Sequence, residues 1–218
     1  MIDIKERIIW ESADFIVVNK PAGIASQSSK THVSSVWTQL EEHRSEKLHL
    51  SNRLDQPVSG CLLFSKHRED NTLEQPVLHK VYIAIVEKKK DIPEQGTLIN
   101  YLKRDGKKSK SICSDKKAEG FKKSVLHYTT LKELDNYLIL KVILRTGRFH
   151  QIRSQLSHFG FPIKGDVKYG ARRKNKDRSI YLHAYELKLH PGQDNEKVIL
   201  AEFPIDDTLW NEAKVCIN

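Results

Sequence analysis

The chain has 218 residues, enough to bury a sizeable core as one full-sized domain or two small ones, and we expect a single domain over residues 1–218. Apolar residues make up 39% and charged residues 30%, which is ordinary for a soluble globular protein and argues against wholesale disorder or a fibrous chain. The net charge of +9 suits a polyanionic partner, although charge alone favours a solvated basic surface.

The sequence has no apolar segment as long as a signal-peptide core or a membrane span, so we expect a cytoplasmic protein without membrane contact. Its three cysteines, Cys61, Cys113 and Cys216, lack CxxC spacing and are predicted to be reduced, buried residues. Histidines are numerous, but His150 and His158 are eight residues apart with no carboxylate between them. We therefore expect no metal site.

Strands and turns dominate the first part of the chain. Residues 8–20 predict two short strands around a polar turn, and the apolar spacing of residues 33–40 predicts a helix. The stretch NRLDQPVSG, residues 52–60, leads into a predicted strand at 61–64. A further strand is predicted for VYIAIV at 81–86.

Residues 87–123 are rich in lysine and poor in apolar side chains, with KRDGKKSK at 103–110. We predict loops and short edge strands that project from the domain. For any single lysine in this run, a solvated flexible connection is the plainer interpretation.

Residues 137–144, YLILKVIL, are nearly continuously apolar, as expected of a central strand covered on both faces. A turn and a helix are predicted at 145–159, where an apolar stripe runs from Phe149 to Phe159. A final strand is predicted at 180–190. Strands with few helices between them indicate an α+β fold with a mixed, mostly antiparallel sheet and flanking helices and loops.

A second face of the predicted helix carries polar side chains. His150, Arg153 and Ser157 fall together at helical spacing, so Arg153 can point away from the core toward a cleft. An ordinary helix-surface arginine is the alternative interpretation.

Asp55 lies between a basic residue and a turn that contains Pro57, Ser59 and Gly60. It could bond the backbone of that turn, which is the commonest role of Asp beside Pro and Gly. It could also pair with Arg53, or act as a catalytic carboxylate at the mouth of a strand. The residues alone favour the turn.

Five segments, in order and across nearly the full chain, resemble the motifs of the RluA family of RNA pseudouridine synthases. They are FIVVNKPAG at 15–23, NRLDQPVSG at 52–60 with LLFSK after it, KVYIAIV at 80–86, RTGRFHQIR at 145–153 with GFPIKGDVKYG at 160–170, and LHAYELKLHP at 182–191. One such segment could arise by chance, but five in order are highly specific. The resemblance implies the catalytic-domain fold of these enzymes, and we expect no S4-like N-terminal module.

Three positions depart from the family's usual pattern. Asn52 stands where the family commonly has His, Val58 where it has Thr, and Phe149 where it has Thr. These residues surround the motifs, so the departures concern substrate fit more than activity.

The resemblance implies catalytic roles for Asp55, Tyr82 and Arg153. Asp55 would be the essential carboxylate, and Arg153 would keep it ionised in a closed pocket by forking onto both of its oxygens. Tyr82 would lie against the uracil, where its hydroxyl would help to remove the C5 proton. Whether Asp55 stabilises C1', attacks it or takes a sugar proton is open. The reaction involves no redox change, so we expect no cofactor.

The partner that this resemblance implies is a structured rRNA or tRNA, bound by a monomer. The target uridine must leave its stack, and Arg53 would either fill the space left behind or pair with phosphate or Asp55. We also expect substrate contacts from Arg148, His150 and Ile152, although the residues around His150 favour a role in orienting its turn. Contacts with the RNA backbone are expected from Lys107, Lys108, Lys110, Arg172, Arg173 and Lys174.

Two other functions fit parts of the sequence. An RNA-binding or RNA-folding factor could keep the fold and lack the chemistry, as the changes at Asn52, Val58 and Phe149 would allow. A glycosidase-like hydrolase would use Asp55 with a second carboxylate and release free uracil, but the motifs offer no obvious acidic partner.

Overall fold

The computed structural model describes residues 2–28, 34–67, 78–190, 192–205 and 207–217. The strands within these residues are β1 (Ile8–Glu11), β2 (Phe15–Lys20), β3 (His49–Leu50), β4 (Ser59–Ser65), β5 (Leu78–Glu87), β6 (Gln95–Asp105), β7 (Lys110–Ser114), β8 (Lys122–Glu133), β9 (Tyr137–Leu144), β10 (Leu182–Leu189) and β11 (Lys197–Leu200). The α-helices are α1 (Val36–Arg44), α2 (Gln151–Phe159) and α3 (Thr208–Val215).

The described residues divide into two compact units. The first contains Met1–Lys80 and Ala184–Pro204, and the second contains Val81–His183 and Ile205–Asn218.

In the first unit, β2 pairs with β1 on one side and β4 on the other, and β10 lies beside β4. Strand β3 pairs with β4, and β11 pairs with β10, both in antiparallel register. Every residue of β4 is buried, because this strand is central to the unit. A cluster of buried side chains packs there, formed by Val17, Cys61, Leu63, Leu187, Leu189, Ile199 and Ala201.

Helix α1 in this unit begins three residues later than the sequence predicted. Its N-cap is Ser35, whose hydroxyl accepts a hydrogen bond from the Thr38 amide while the Thr38 hydroxyl accepts one from the Ser35 amide. This reciprocal cap fixes the start at Val36. Val33, which the prediction included, lies outside the described residues.

In the second unit the strand order is β5-β9-β8-β6-β7, and each pairing is antiparallel. The predicted central strand is confirmed as β9, which lies between β5 and β8. Its neighbour β8 was not recognised from the sequence. All of these pairings fit the expected mostly antiparallel α+β fold.

The prediction of loops and short edge strands for residues 87–123 was wrong for β6, which has 11 residues and lies between β8 and β7. Leu98, Asn100 and Leu102 are buried at alternate positions of β6. That alternation is the signal of a strand with one buried face, and the surrounding lysines obscured it. Strand β7 does fit the prediction, since it is short and ends the strand order.

Within the second unit, helix α3 packs through Trp210, which stacks on Tyr181 with ring centroids 5.2 Å apart. Asp207 caps this helix by accepting hydrogen bonds from the amides of Leu209 and Trp210. Among the described residues, no helix combines the length and apolar character needed to cross a membrane.

Candidate active site

Asp55 begins a tight turn in the first unit, in which the Val58 amide donates to the Asp55 carbonyl at 3.0 Å. The side chain is half-buried. Asn52 fastens the start of this loop to β4, because its amide nitrogen donates to the Cys61 carbonyl and its oxygen accepts from the Leu63 amide at 2.7 Å. The residue that departs from the family pattern therefore braces the loop that carries Asp55.

The segment after β2 holds the other end of the Asp55 loop. The Ser26 hydroxyl donates to the Leu54 carbonyl at 2.8 Å and accepts from the Leu54 amide. The Gly23 amide donates to the Gln56 carbonyl at 2.8 Å, and the Gln56 side chain donates to the Gly23 carbonyl at 2.9 Å. Residues on both sides of Asp55 are thus tied to one neighbouring segment.

Lys20, at the end of β2, was not singled out from the sequence. Its side chain is completely buried, and its ammonium group donates to the carbonyls of Pro21, Ile24 and Gln56 at 2.9, 2.8 and 3.2 Å. Burial lowers the pKa of Lys20 to about 7, and the negative charge of Asp55 opposes that shift. Lys20 therefore places a buried cation within electrostatic range of Asp55.

Gly60, the last residue of the NRLDQPVSG segment, lies where no side chain fits. Its φ is +112°, and a Cβ atom there would lie 2.3 Å from the carbonyl oxygen of Ala184 in β10. Only glycine allows the two backbones to approach this closely at the first residues of β4.

In the second unit, Arg153 is buried in α2 with a side chain 6% exposed. Its Nε donates to Asp166 Oδ2 at 2.7 Å and its Nη2 donates to Asp166 Oδ1 at 2.9 Å. The guanidinium also lies over the ring of Tyr169, with Cζ 5.0 Å from the centroid. The forked pairing of Arg153 is thus with Asp166, a residue that the sequence reasoning missed.

A guanidinium group has a second edge, formed by Nη1 and Nη2. The predicted pairing of Arg153 with Asp55 would have to use that edge, and it stays a prediction.

The polar face predicted for α2 converges on Tyr169. His150 Nδ1 lies 2.9 Å from the Tyr169 hydroxyl, and the Ser157 hydroxyl donates to the Tyr169 carbonyl at 2.6 Å. His150 precedes the helix in a left-handed conformation, with φ of 52°, so it belongs to the turn. Substrate contact and orientation of the turn both stay predictions for His150.

Gln151 locks the turn that precedes α2. Its side-chain oxygen accepts from the Arg148 amide at 2.9 Å and from the Thr146 hydroxyl at 2.8 Å, while its nitrogen donates to the Val125 carbonyl. Arg148 itself is exposed. Phe149 stacks on His150 with 3.8 Å between ring centroids, and the guanidinium of Arg104 lies over the Phe149 ring at 4.6 Å.

The remaining candidates differ in exposure. Tyr82 is buried in β5 opposite Val142, and Ile152 is buried in α2. Arg53 is exposed. His183 is completely buried and meets Trp210 edge to face.

The candidate RNA-backbone residues lie in two places in the second unit. Lys107 and Lys108 are exposed at the tip of the β6–β7 hairpin, where both amides donate to Asp105 Oδ1. Lys110 is half-buried instead, with Nζ 4.8 Å from the centroid of the Tyr169 ring. The other three are exposed after the 3-10 helix Val167–Tyr169; they are Arg172, Arg173 and Lys174.

All three cysteines are free, as predicted, but only Cys61 is fully buried. Burial raises the pKa of its thiol to about 12. Within the part of the chain that the structure describes, no group of three His, Cys, Asp or Glu side chains is placed to hold a metal ion.

Comparison with known proteins identifies relatives across nearly the whole chain. Residues 14–158 match the model of a family described as RNA pseudouridylate synthase. An uncharacterized RNA pseudouridine synthase of Bacillus subtilis is 30% identical, over 91% of this chain and 69% of that protein. The tRNA pseudouridine synthase C of Vibrio parahaemolyticus is 30% identical, over 97% of this chain and 95% of that protein. The chain spans only 65% of another relative at 30% identity, the ribosomal large subunit pseudouridine synthase D of Borreliella burgdorferi.

Solved structures agree with the predicted fold. The human RNA pseudouridylate synthase domain containing 4 matches with a TM-score of 0.73 at 21% identity, over 98% of this chain and 94% of that one. The human domain containing 1 matches with a TM-score of 0.72 at 21% identity, over 96% and 86%. The expected catalytic-domain fold is therefore confirmed.

Proposed function

The chain belongs to the RluA family of RNA pseudouridine synthases, and from that membership we propose that it converts a specific uridine of a structured rRNA or tRNA into pseudouridine. The observation that supports this most is the family match over residues 14–158, a range that contains Asp55, Tyr82 and Arg153. We further propose that a monomer acts in the cytoplasm without a cofactor or metal.

The reaction is an isomerisation in which the N1–C1' bond of uridine breaks and a C5–C1' bond forms. The detached uracil must turn between these steps, and C5 then loses a proton while the base gains one at N1. In our proposal Asp55 is the group that acts at C1'. Its loop is braced by Asn52, Ser26 and Lys20, so the carboxylate is presented by a rigid turn.

A carboxylate that works at neutral pH has to remain ionised when substrate excludes water. Arg153 is proposed to supply the cation that favours this state. Lys20 is proposed to add a second positive charge near Asp55 while it is protonated.

Tyr82 is proposed to lie against the uracil. A base removed from its helix loses its stacking neighbours, and an aromatic ring replaces them at about 1–3 kcal/mol per base. Its hydroxyl is proposed to assist the loss of the C5 proton.

Binding of the RNA is proposed to depend mainly on phosphate contacts, as is usual for such proteins. The exposed tip residues Lys107 and Lys108 and the exposed basic residues after the 3-10 helix support this. Arg53, exposed beside Asp55 in the sequence, is proposed either to enter the space left by the uridine or to pair with phosphate.

The experiment is to incubate the purified protein with total RNA from a strain that lacks its gene and to map pseudouridine chemically. We expect one or a few uridines to become pseudouridine, with no free uracil. Binding without product would identify the RNA-binding factor instead. Release of free uracil would identify the hydrolase, and either result would overturn the proposal.

A further inference from the structure

Arg153 is held by one short segment of the chain, residues 166–169. Asp166 pairs with the Nε and Nη2 edge at 2.7 and 2.9 Å, and both side chains of this pair are buried. Tyr169 lies against the face of the same guanidinium at 5.0 Å. A forked contact fixes the group within its plane, and a ring on its face limits tilting out of that plane. These two side chains therefore restrict the orientation of Arg153.

Several contacts fix the position of residues 166–169. Gly165 has a φ of +88°, and a Cβ atom there would lie 2.6 Å from the side-chain nitrogen of Asn175 and 2.8 Å from the Ser179 carbonyl. The Asp166 carbonyl accepts from the amides of Tyr169 and Ala171. Asp166 thus starts from a rigid turn, as a residue that aims another side chain should.

Tyr169 also joins this segment to the β6–β7 hairpin. Its hydroxyl accepts from the Ser111 amide at 2.7 Å, and the ammonium group of Lys110 lies over its ring at 4.8 Å. Lys168 donates to the Ser109 carbonyl at 3.3 Å, close to the same end of the hairpin. One residue therefore contacts both Arg153 and the turn end of the hairpin, the end that carries Lys107 and Lys108.

We propose that Asp166 and Tyr169 are positioning residues for Arg153, and that the Tyr169 hydroxyl fixes the basic β6–β7 hairpin to the same support. Asp166 sets the direction of the guanidinium before substrate binds. Tyr169 keeps the hairpin that grips the RNA backbone in register with the residue that acts in the reaction. The catalytic part of this inference rests on the proposed function, whereas the placement of Arg153 does not.

The placement is tested on the purified protein without RNA, by nitrogen-resolved NMR of the arginine side chains. Arg153→Lys identifies the Arg153 signals by their loss. In the wild type we expect separate Nη signals, because a buried forked ion pair slows rotation of the guanidinium. Asp166→Asn should merge or shift these signals, and Asp135→Asn, a change of the same charge at an exposed residue between β8 and β9, should not. Unchanged Arg153 signals in Asp166→Asn would overturn the positioning role.

The hairpin link is tested by Tyr169→Phe, which keeps the ring and removes the hydroxyl. Hydrogen exchange at the Ser111 amide should become at least about tenfold faster, because that amide loses its acceptor. Thermal unfolding of each variant shows whether it is folded. If Asp166→Asn is not, Asp166→Glu, whose longer side chain displaces the forked contact, is the second variant for the NMR test and should shift the Arg153 signals. An unchanged exchange rate at Ser111 would overturn the link.

Measurements of kcat and KM then test whether the orientation of Arg153 matters for catalysis. We expect Asp166→Asn to lower kcat about 100-fold with little change in KM, as is typical when the residue that orients a reacting group is removed. Asp166→Glu, which retains the carboxylate, should recover part of that loss. Equal losses in kcat and substrate affinity, without recovery by Glu, would contradict the role. If the NMR result holds and the wild type makes no pseudouridine, the proposed function fails while the placement of Arg153 stands.

Discussion

A single buried ammonium group supports the loop that carries Asp55. Lys20 is fully enclosed, and its three hydrogen bonds go to carbonyls on two segments, one directly after β2 and one directly after Asp55. A neutral side chain of similar size could fill the space but could not bind these carbonyls. Lys20 therefore braces the turn, and it carries a positive charge near Asp55 while it is protonated.

This burial predicts a pH dependence of stability. The pKa of Lys20 falls from 10.5 to about 7 on folding. Between those values the unfolded chain holds a proton that the folded protein has released, so the stability contributed by Lys20 is lost as pH falls toward 7 and is full above 10.5. Relative to Lys20→Met, the free energy of unfolding of the wild type should rise by up to about 1.4 kcal/mol per pH unit across this window.

Urea titrations at several pH values measure this difference. Lys47→Met, at an exposed lysine of the same unit, is the control and should show no such rise. Parallel curves for the wild type and Lys20→Met would contradict the buried-lysine account.

Arg153→Lys isolates the forked geometry of Arg153. Lysine keeps the charge, but a single ammonium group cannot match both oxygens of Asp166 in one plane. We expect kcat to fall about 100-fold while RNA affinity changes less than about threefold. Single-turnover rates and filter binding measure the two quantities, and an equal loss in both would argue against a role in the chemical step.

The close approach of two strands requires a glycine at position 60. The start of β4 and the adjacent part of β10 approach so closely that no side chain fits between them. Gly60→Ala should lower the free energy of unfolding by at least about 2 kcal/mol, through both the clash and the positive φ. Gly106→Ala, at a hairpin position with nothing within 4 Å, should be close to neutral. Chemical denaturation compares them, and equal stability of the two variants would show that the approach is not tight.

Short-range apolar patterns in the sequence predicted the strands and the helix whose burial follows such a pattern. The apolar runs of β5 and β9 and the stripe of α2 were visible in the sequence because their periods are short. Strand β6 was missed because lysines surround its alternating buried residues. Asp166 and Tyr169 were missed as partners of Arg153 because they lie beyond the end of α2, where helical spacing no longer relates one residue to another. The segment that contains them was noted, but only the folded turn brings it onto Arg153.

For the whole molecule, the basic side chains that give the net charge of +9 differ in their exposure to solvent. Lys110, expected from the sequence to contact RNA, packs on Tyr169, whereas Lys107 and Lys108 are exposed. Replacing Lys107 and Lys108 with Gln should therefore reduce the slope of log affinity against log salt by about 1–2 without lowering stability.

RNA binding measured at several salt concentrations gives that slope. The control is a double variant with the same change in charge, Lys47→Gln with Lys214→Gln. Both lysines are exposed, Lys47 in the first unit and Lys214 on α3. If the salt dependence of RNA affinity is the same for the hairpin variant and the wild type, the hairpin tip is a solvated loop that does not contact RNA phosphates.

The role of Asp55 is tested most directly by the rate at which Asp55→Asn forms pseudouridine at the mapped uridine. Asparagine has nearly the same shape and keeps the turn, so RNA affinity should stay within about twofold of the wild type. The rate should fall at least about 1,000-fold, because an amide cannot supply the charge or the nucleophile that C1' requires. A variant that turns over at the wild-type rate would contradict the assignment of catalysis to Asp55.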